Sequence, residues 1–429
     1  MRLRRGRSAR HRSRREPPAD RSTPDPDFRL RDIAVTAYGP SVLFGLAEGA
    51  MLPVITLSAI DRGANAAVAA FVAALLGIGS IISNIPSGVL ATRVGERMSM
   101  VIAAALSALG LVLCIVPGDL WVYGAGVLLI GCASSVFSLA RQSYLTERVP
   151  VRMWARALST LGGSMRVGVF VGPFAGAAVM HVFGVTSAYV VALIAVVGAG
   201  AIAYTVPDLD ERAGGAGAAA KVTTVGMLRR YWTLFLTLGL AILLLSAIRQ
   251  TRQIVIPLWA DHIGLTPASA SVIYGIAGAI DAATFYPAGK VMDRWGRRAV
   301  AVPCMLLMGV SFLLMPLTHG FGTLVLVALL MGFSNGIGSG IVMTLGADVS
   351  PSVGRPTFLG LWRELADAGS GIGPVILSAV TGFATLGAGI VVSGLIGFAA
   401  AAALYRWIPR PRARLPSTEV GAVPTSEPP

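Results

Sequence analysis

Gly289-Lys290-Val291-Met292-Asp293-Arg294-Trp295-Gly296-Arg297-Arg298 separates two long apolar runs, and Gly88-Val89-Leu90-Ala91-Thr92-Arg93-Val94-Gly95-Glu96-Arg97 does the same 201 residues earlier. Glycine, arginine, glycine and arginine recur at the first, sixth, eighth and tenth places of both stretches. A glycine allows a backbone turn too tight for a side chain, so each stretch reads as a sharp connection between two helices. The same ungapped register continues outward. It pairs Gly77 with Gly278 and Pro86 with Pro287 on one side, and Gly131 with Gly332, Pro150 with Pro351, Gly168 with Gly369, Gly172 with Gly373 and Pro173 with Pro374 on the other. A single register through four helices, carrying Arg and Pro as well as Gly, marks a tandem repeat. Parallel repeats about an axis normal to the membrane are a transporter architecture.

The flanks agree. A bilayer-crossing helix needs about 20 mostly apolar residues, and twelve such windows are expected, near 34–58, 66–91, 98–117, 120–146, 156–181, 184–206, 231–258, 266–292, 299–317, 320–346, 356–381 and 385–407. Hydrophobic residues make up 55% of the 429-residue chain and charged residues only 13%, about half the usual share for a soluble domain. With a mean hydropathy of +0.72, a soluble enzyme is excluded. The expected fold class is an all-α membrane protein, with two pseudo-symmetric six-helix bundles around a central cavity. Its divisions are a disordered Arg-rich tail over 1–32, a first bundle over 33–206, a flexible linker over 207–230, a second bundle over 231–407 and a disordered tail over 408–429.

The net charge of +14 is concentrated in alternate connections and in the tails. Arg93 and Arg97, Arg148 and Arg152, Arg229 and Arg230, and Lys290 through Arg298 lie on one side, while the other side carries little beyond Asp61, Arg62, Asp119, His181, Asp261, His262 and His319. Arginine-rich connections stay cytoplasmic, so both tails are expected inside the cell. The N-terminal arginines suit contact with anionic lipid better than nucleic acid, and no nucleic-acid partner is expected. That tail lacks the short apolar core of a signal peptide. Arg-heavy, Lys-poor usage fits a GC-rich bacterium, which makes the inner cell membrane the expected location. The three cysteines lie in apolar runs and the four histidines lack metal-ligand spacing. No phosphate-binding G-x-x-x-x-G-K-[ST] loop occurs, and no cofactor is expected.

The two glycine–arginine stretches resemble the signature of the loops joining helices 2–3 and 8–9 in the major facilitator superfamily, and helix number, orientation and repeat extend the resemblance over about 34–407. It implies gating roles for Gly88, Arg93, Gly95, Arg97, Gly289, Asp293, Arg294, Gly296 and Arg297. Thr92 stands where the family usually has an acid, which weakens the first copy. Gly168-x-x-x-Gly172-Pro173 is similar to the helix-5 signature associated with antiporters of that superfamily, echoed by Gly369-x-x-x-Gly373-Pro374. That likeness implies drug-like efflux by proton antiport, with Gly172, Pro173, Gly373 and Pro374 in gating; ordinary small-residue packing is the competing reading.

Ionisable residues inside the helices carry the most chemistry, because each costs about 2.5–3.5 kcal/mol at a lipid-facing helix centre. Arg166, Arg249, Arg363 and Glu364, with Trp362, are expected around the substrate. Arg141 and Arg252 are either cavity residues or, nearer helix ends, snorkelling ones. Depth suggests that Arg166 meets Asp281, and a four-residue spacing that Arg363 meets Asp367. A carboxylate beside arginine stays ionised, whereas one among apolar neighbours exchanges its proton more readily. Glu48, with no basic residue within a turn, is therefore the first choice for proton coupling, followed by Asp281 and Asp367. The expected activity is export of a small molecule, with protons as counter-substrate, by a monomer in the lipid bilayer. An importer of the same fold and a non-transporting receptor or scaffold remain open; a continuous charged cavity favours transport.

Overall fold

The structure, a computed structural model, describes residues 34–116, 118–149, 153–206, 224–351 and 353–408. The expected tails and most of the expected linker lie outside these residues. Among the described residues every regular element is helical.

The first half runs α1 (Ala34–Asp61), then a 50-residue stretch, Ala66–Ile115, whose limbs 66–94 and 96–115 are α2 and α3. Gly95, at φ 80° and ψ 165°, makes the turn between them. It is followed by α4 (Leu120–Arg148), α5 (Trp154–Phe183) and α6 (Ser187–Thr205). The second half runs α7 (Trp232–His262), which is π-helical over Phe235–Gly239, α8 (Pro267–Trp295), α9 (Arg297–Leu314), α10 (Phe321–Val349), α11 (Arg355–Phe383) and α12 (Leu386–Trp407). Gly296 turns α8 into α9 at φ 87°, as Gly95 does for its pair. Asn65, Asp119 and Thr266 cap α2, α4 and α8 by accepting from backbone N–H groups of the first turn, which offsets donors left open at a helix start.

Both halves hold their central helices together by the same device. A Cβ on Gly168 would meet Val42 O, and one on Gly172 would meet Leu46 O. A Cβ on Gly369 would meet Leu243 O and one on Gly373 would meet Ala247 O. Each pair of collisions repeats at the 201-residue shift, so the repeat seen in sequence is also one of backbone packing. Without a hydrophobic gradient in lipid, close backbone approach through small residues is what holds helices together.

Three expectations change. The tenth window is not continuous: α10 consists of Phe321–Ile337 and Ile341–Val349, separated at the run Gly336-Ile337-Gly338-Ser339-Gly340. Glycine-rich backbone forms helix poorly, and open backbone at membrane depth persists where it lines a cavity or is buried in protein. The eleventh window is a full-length helix, yet α11 is not among the ten helices apolar enough to cross a membrane by composition. Arg363, Glu364 and Asp367 make it polar. The end of the expected linker, Thr224–Arg230, is a short helix.

The two halves meet along α2–α11 and α5–α8. At the ends away from the Gly95 and Gly296 turns these pairs are tight. Ser378 Oγ donates to Ala67 O at 2.8 Å, a Cβ on Gly77 would lie 2.9 Å from Gly371 Cα, and one on Gly275 would lie 2.8 Å from the Phe174 ring. At the arginine-rich ends of the same helices, a Cβ on Gly88, Gly162, Gly163, Gly289 or Gly360 would meet nothing within 4 Å. The halves pack closely at one end, and at the other these glycines face open space.

Candidate functional site

Between the halves lies a cavity of about 410 Å³, within the range of small-molecule sites. Glu48 from α1, Arg166 from α5, Arg252 from α7, Asp281 from α8 and Asp367 from α11 all reach its wall. A second space of about 210 Å³, lined by Arg249, shares Gln250, Gln253, Asn335 and Ser370 with it.

Asp281 is the hub. Its Oδ2 lies 3.5 Å from Arg252 Nη2 and its Oδ1 lies 3.9 Å from Arg166 Nη1. Asn335 Nδ2 also donates to Asp281 Oδ2, while Asn335 Oδ1 accepts from Arg249 Nε at 2.7 Å. The carboxylate thus joins a guanidinium of each half, and the amide ties it to a third. Arg166 further donates to Ser339 Oγ and stacks over Phe285 at 4.1 Å. Arg249 Nη1 reaches Gly338 O at 3.4 Å. Ser339 and Gly338 belong to the break in α10, which offers a side-chain hydroxyl and a backbone carbonyl to the two arginines.

Glu48 sits opposite. Ser134 Oγ donates to its Oε1 at 2.7 Å, and the nearby charge comes from Arg141 on α4, beyond ion-pair distance among the described residues. Helix 1 carries no basic residue within a turn of Glu48, and packing brings Arg141 from another helix within electrostatic reach. Asp367 accepts from Asn84 Nδ2 at 3.0 Å, and Arg363 Nε stands 3.9 Å away on the same helix. Asn84 Nδ2 also reaches Glu364 Oε2 at 3.3 Å, and Arg363 donates to Gln142 Oε1 and Ser138 Oγ, both at 3.3 Å. Arg363 and Glu364 consequently bridge α11 to α4 and α2 of the other half.

Other expected site residues are placed differently. Trp362 is 2% exposed, and its Nε1 donates to Val342 O at 2.8 Å. It packs against Phe358 inside the second half and does not line the cavity. Arg252 does not snorkel: it is 6% exposed and faces Asp281, because α7 continues well past it. Arg141 does not snorkel either; its guanidinium lies 6.0 Å from the Phe137 ring, with buried Nε and Nη1 lacking hydrogen bonds.

At the arginine-rich rim, Arg297 pairs with Asp348 on α10, Nε to Oδ2 at 2.7 Å and Nη2 to Oδ1 at 3.4 Å. Arg298 stacks over Tyr405, and Arg97 over Tyr204, the equivalent tyrosine one repeat earlier. Arg93 and Arg294 are exposed, and Asp293's side chain lies outside the described residues. The Arg297 pair lies within the second half. Gly172, Pro173, Gly373 and Pro374 sit on the helices of the α1–α5 and α7–α11 crossings, again within each half.

Ser134, Asn335, Asn84 and Ser339 are uncharged, so the intramembrane charges that mark the site in sequence do not point to them. The repeat would have found two of them. Ser134 superposes on Asn335 as Glu48 does on Arg249, and each pair is hydrogen-bonded at 2.7 Å.

The fold is similar to that of solved transporters. The nucleoside transporter NupG aligns over 87% of this chain and 98% of its own, with TM-score 0.70 at 14% identity. The D-xylose-proton symporter aligns over 89% and 98%, with TM-score 0.67 at 16%. The human organic anion transporter MFSD10 (TETRAN) aligns over 87% and 99%, with TM-score 0.63 at 14%. No curated protein sequence matches the chain significantly. The family model for the Major Facilitator Superfamily matches residues 41–285 and 238–427, covering both halves. With two six-helix halves around a charged cavity, the chain belongs to the Major Facilitator Superfamily and is a secondary transporter of that type.

Proposed function

We propose that the protein exports a small molecule bearing a negative group across the cell membrane in exchange for protons, acting as a monomer with both tails in the cytoplasm. The observation that carries this reading is the gathering of Arg166, Arg249 and Arg252 around a single carboxylate, Asp281, at a cavity between the two halves. Three guanidiniums against one carboxylate leave positive charge for an anionic group to neutralise. The ends where the glycines face open space are those rich in arginine, which under the positive-inside rule supports a cavity opening to the cytoplasm. Substrate loads there, and rocking of the halves about the midplane carries it outward. The cavity's acids and arginines favour transport over a silent scaffold.

Glu48 is the proposed proton site, because its carboxylate lines the cavity and receives one hydrogen bond, from Ser134. Inside-out vesicles from expressing cells, loaded from a panel of fluorescent organic anions under an imposed pH gradient, test the whole scheme. Uptake should follow the gradient and collapse with an uncoupler. Glu48→Gln should abolish concentrative uptake while leaving downhill exchange. Normal gradient-driven uptake by Glu48→Gln removes this residue from the coupling, and uptake indifferent to the gradient removes the antiport.

A further inference from the structure

The repeat inverts charge. Glu48 superposes on Arg249, and Asp367 on Arg166, so two arginines of one corner have acids at their equivalent places in the other. The structure keeps these residues in two corners. Arg166, Arg249 and Arg252 cluster about Asp281 between α5, α7 and α8. Glu48 and Asp367 lie toward α1, α2 and α11; Glu48 accepts from the neutral donor Ser134, and Asp367 accepts from Asn84 and stands 3.9 Å from Arg363. Both corners share one cavity, whose Tyr274 is within electrostatic reach of Arg252, Asp281 and Glu48 alike.

The corners also differ in spare hydrogen-bonding capacity. Among the described residues Arg252 Nε is buried with no acceptor, and Asp281 Oδ1 beside it is buried with no hydrogen-bond donor. Glu48 uses Oε1 for Ser134, and its Oε2 has no donor among the described residues. Among the described residues, one corner presents a guanidinium N–H without an acceptor and the other a carboxylate oxygen without a donor.

The geometry points to a zwitterionic substrate: an anionic group at Arg166 and Arg252, and an ammonium group at Glu48, with an apolar body between Met51, Leu76 and Phe170. This rests on the reading of the cavity as the substrate site and sharpens it. An anion alone leaves Glu48 facing an unfilled corner, and a cation alone meets the arginines. Charges of both signs on one molecule satisfy both corners and favour one orientation, since the mismatched orientation sets like charges together.

Binding to the purified full chain in lipid nanodiscs distinguishes the possibilities, using two matched series. One comprises L-tryptophan, N-acetyl-L-tryptophan and L-tryptophan amide; the other comprises 5-aminopentanoate, its N-acetyl derivative and its amide. In at least one series the zwitterion should bind tenfold or more tighter than both singly charged relatives. Glu48→Gln should bring that zwitterion down to the level of its N-acetyl derivative, and Arg166→Gln to the level of its amide. Equal or tighter binding by the N-acetyl anions overturns the inference yet leaves an anion transporter standing. Lack of zwitterion preference in both series, including no binding at all, also overturns it. Wild-type selectivity alone decides the matter if a variant does not fold.

Discussion

Replacing Asp281 by alanine removes the only carboxylate facing Arg252 among the described residues, and the cost can be divided between its two arginines. The Arg252 side chain is 7% exposed and lies 3.5 Å from the carboxylate. Stripping the counter-ion from a buried charge costs about 3–5 kcal/mol. Arg166 is 34% exposed, stands at 3.9 Å and keeps Ser339 and Phe285 as partners. Water screens such a pair, and its share is at most about 1 kcal/mol. Asp281→Ala should therefore destabilise the protein chiefly through Arg252. In double-mutant cycles, Asp281→Ala with Arg252→Ala should show a coupling of about 2–3 kcal/mol, and with Arg166→Ala under about 1 kcal/mol. Both can be read from unfolding by sodium dodecyl sulfate in mixed micelles, followed by tryptophan fluorescence. Equal couplings, or a larger one with Arg166, would refute the argument that burial ranks these contacts.

At the rim, Arg297→Asp should impair transport and the swap Arg297→Asp with Asp348→Arg should restore part of it, with stability moving by only about 1 kcal/mol; a swap no better than the single change rules out a pairwise role. Gly373→Leu should lower stability by at least about 1–3 kcal/mol, because overpacking a close crossing forces helices apart, and Gly289→Leu, facing open space, should be tolerated; similar thermal unfolding of the two variants rejects the crossing. In a cysteine-free background, a cysteine at His319 should react with an impermeant maleimide added to intact cells and one at Arg414 should not; the opposite pattern reverses the topology and with it the direction of cavity opening.

Helix number, the turns at Gly95 and Gly296, and the six-plus-six repeat were already determined by the sequence, because each depends on properties local in the chain. A run of about 20 apolar residues must form a helix to satisfy its backbone in lipid, and a duplication preserves spacing whatever the helices later touch. Depth is also nearly one-dimensional, which is why counting residues along two helices suffices to match Arg166 with Asp281. Rotation about each helix axis is different. Neighbouring residues are about 100° apart around a helix, and a span apolar on every side gives no signal for which face turns inward. Only tertiary packing decided that Arg252 joins Asp281, that Trp362 turns into the second half, and that Arg141 approaches Glu48. It also decided the break after Ile337. Glycines allowed that opening, and the side chains of Arg249 and Arg166, from helices remote in sequence, bond to Gly338 O and Ser339 Oγ within it.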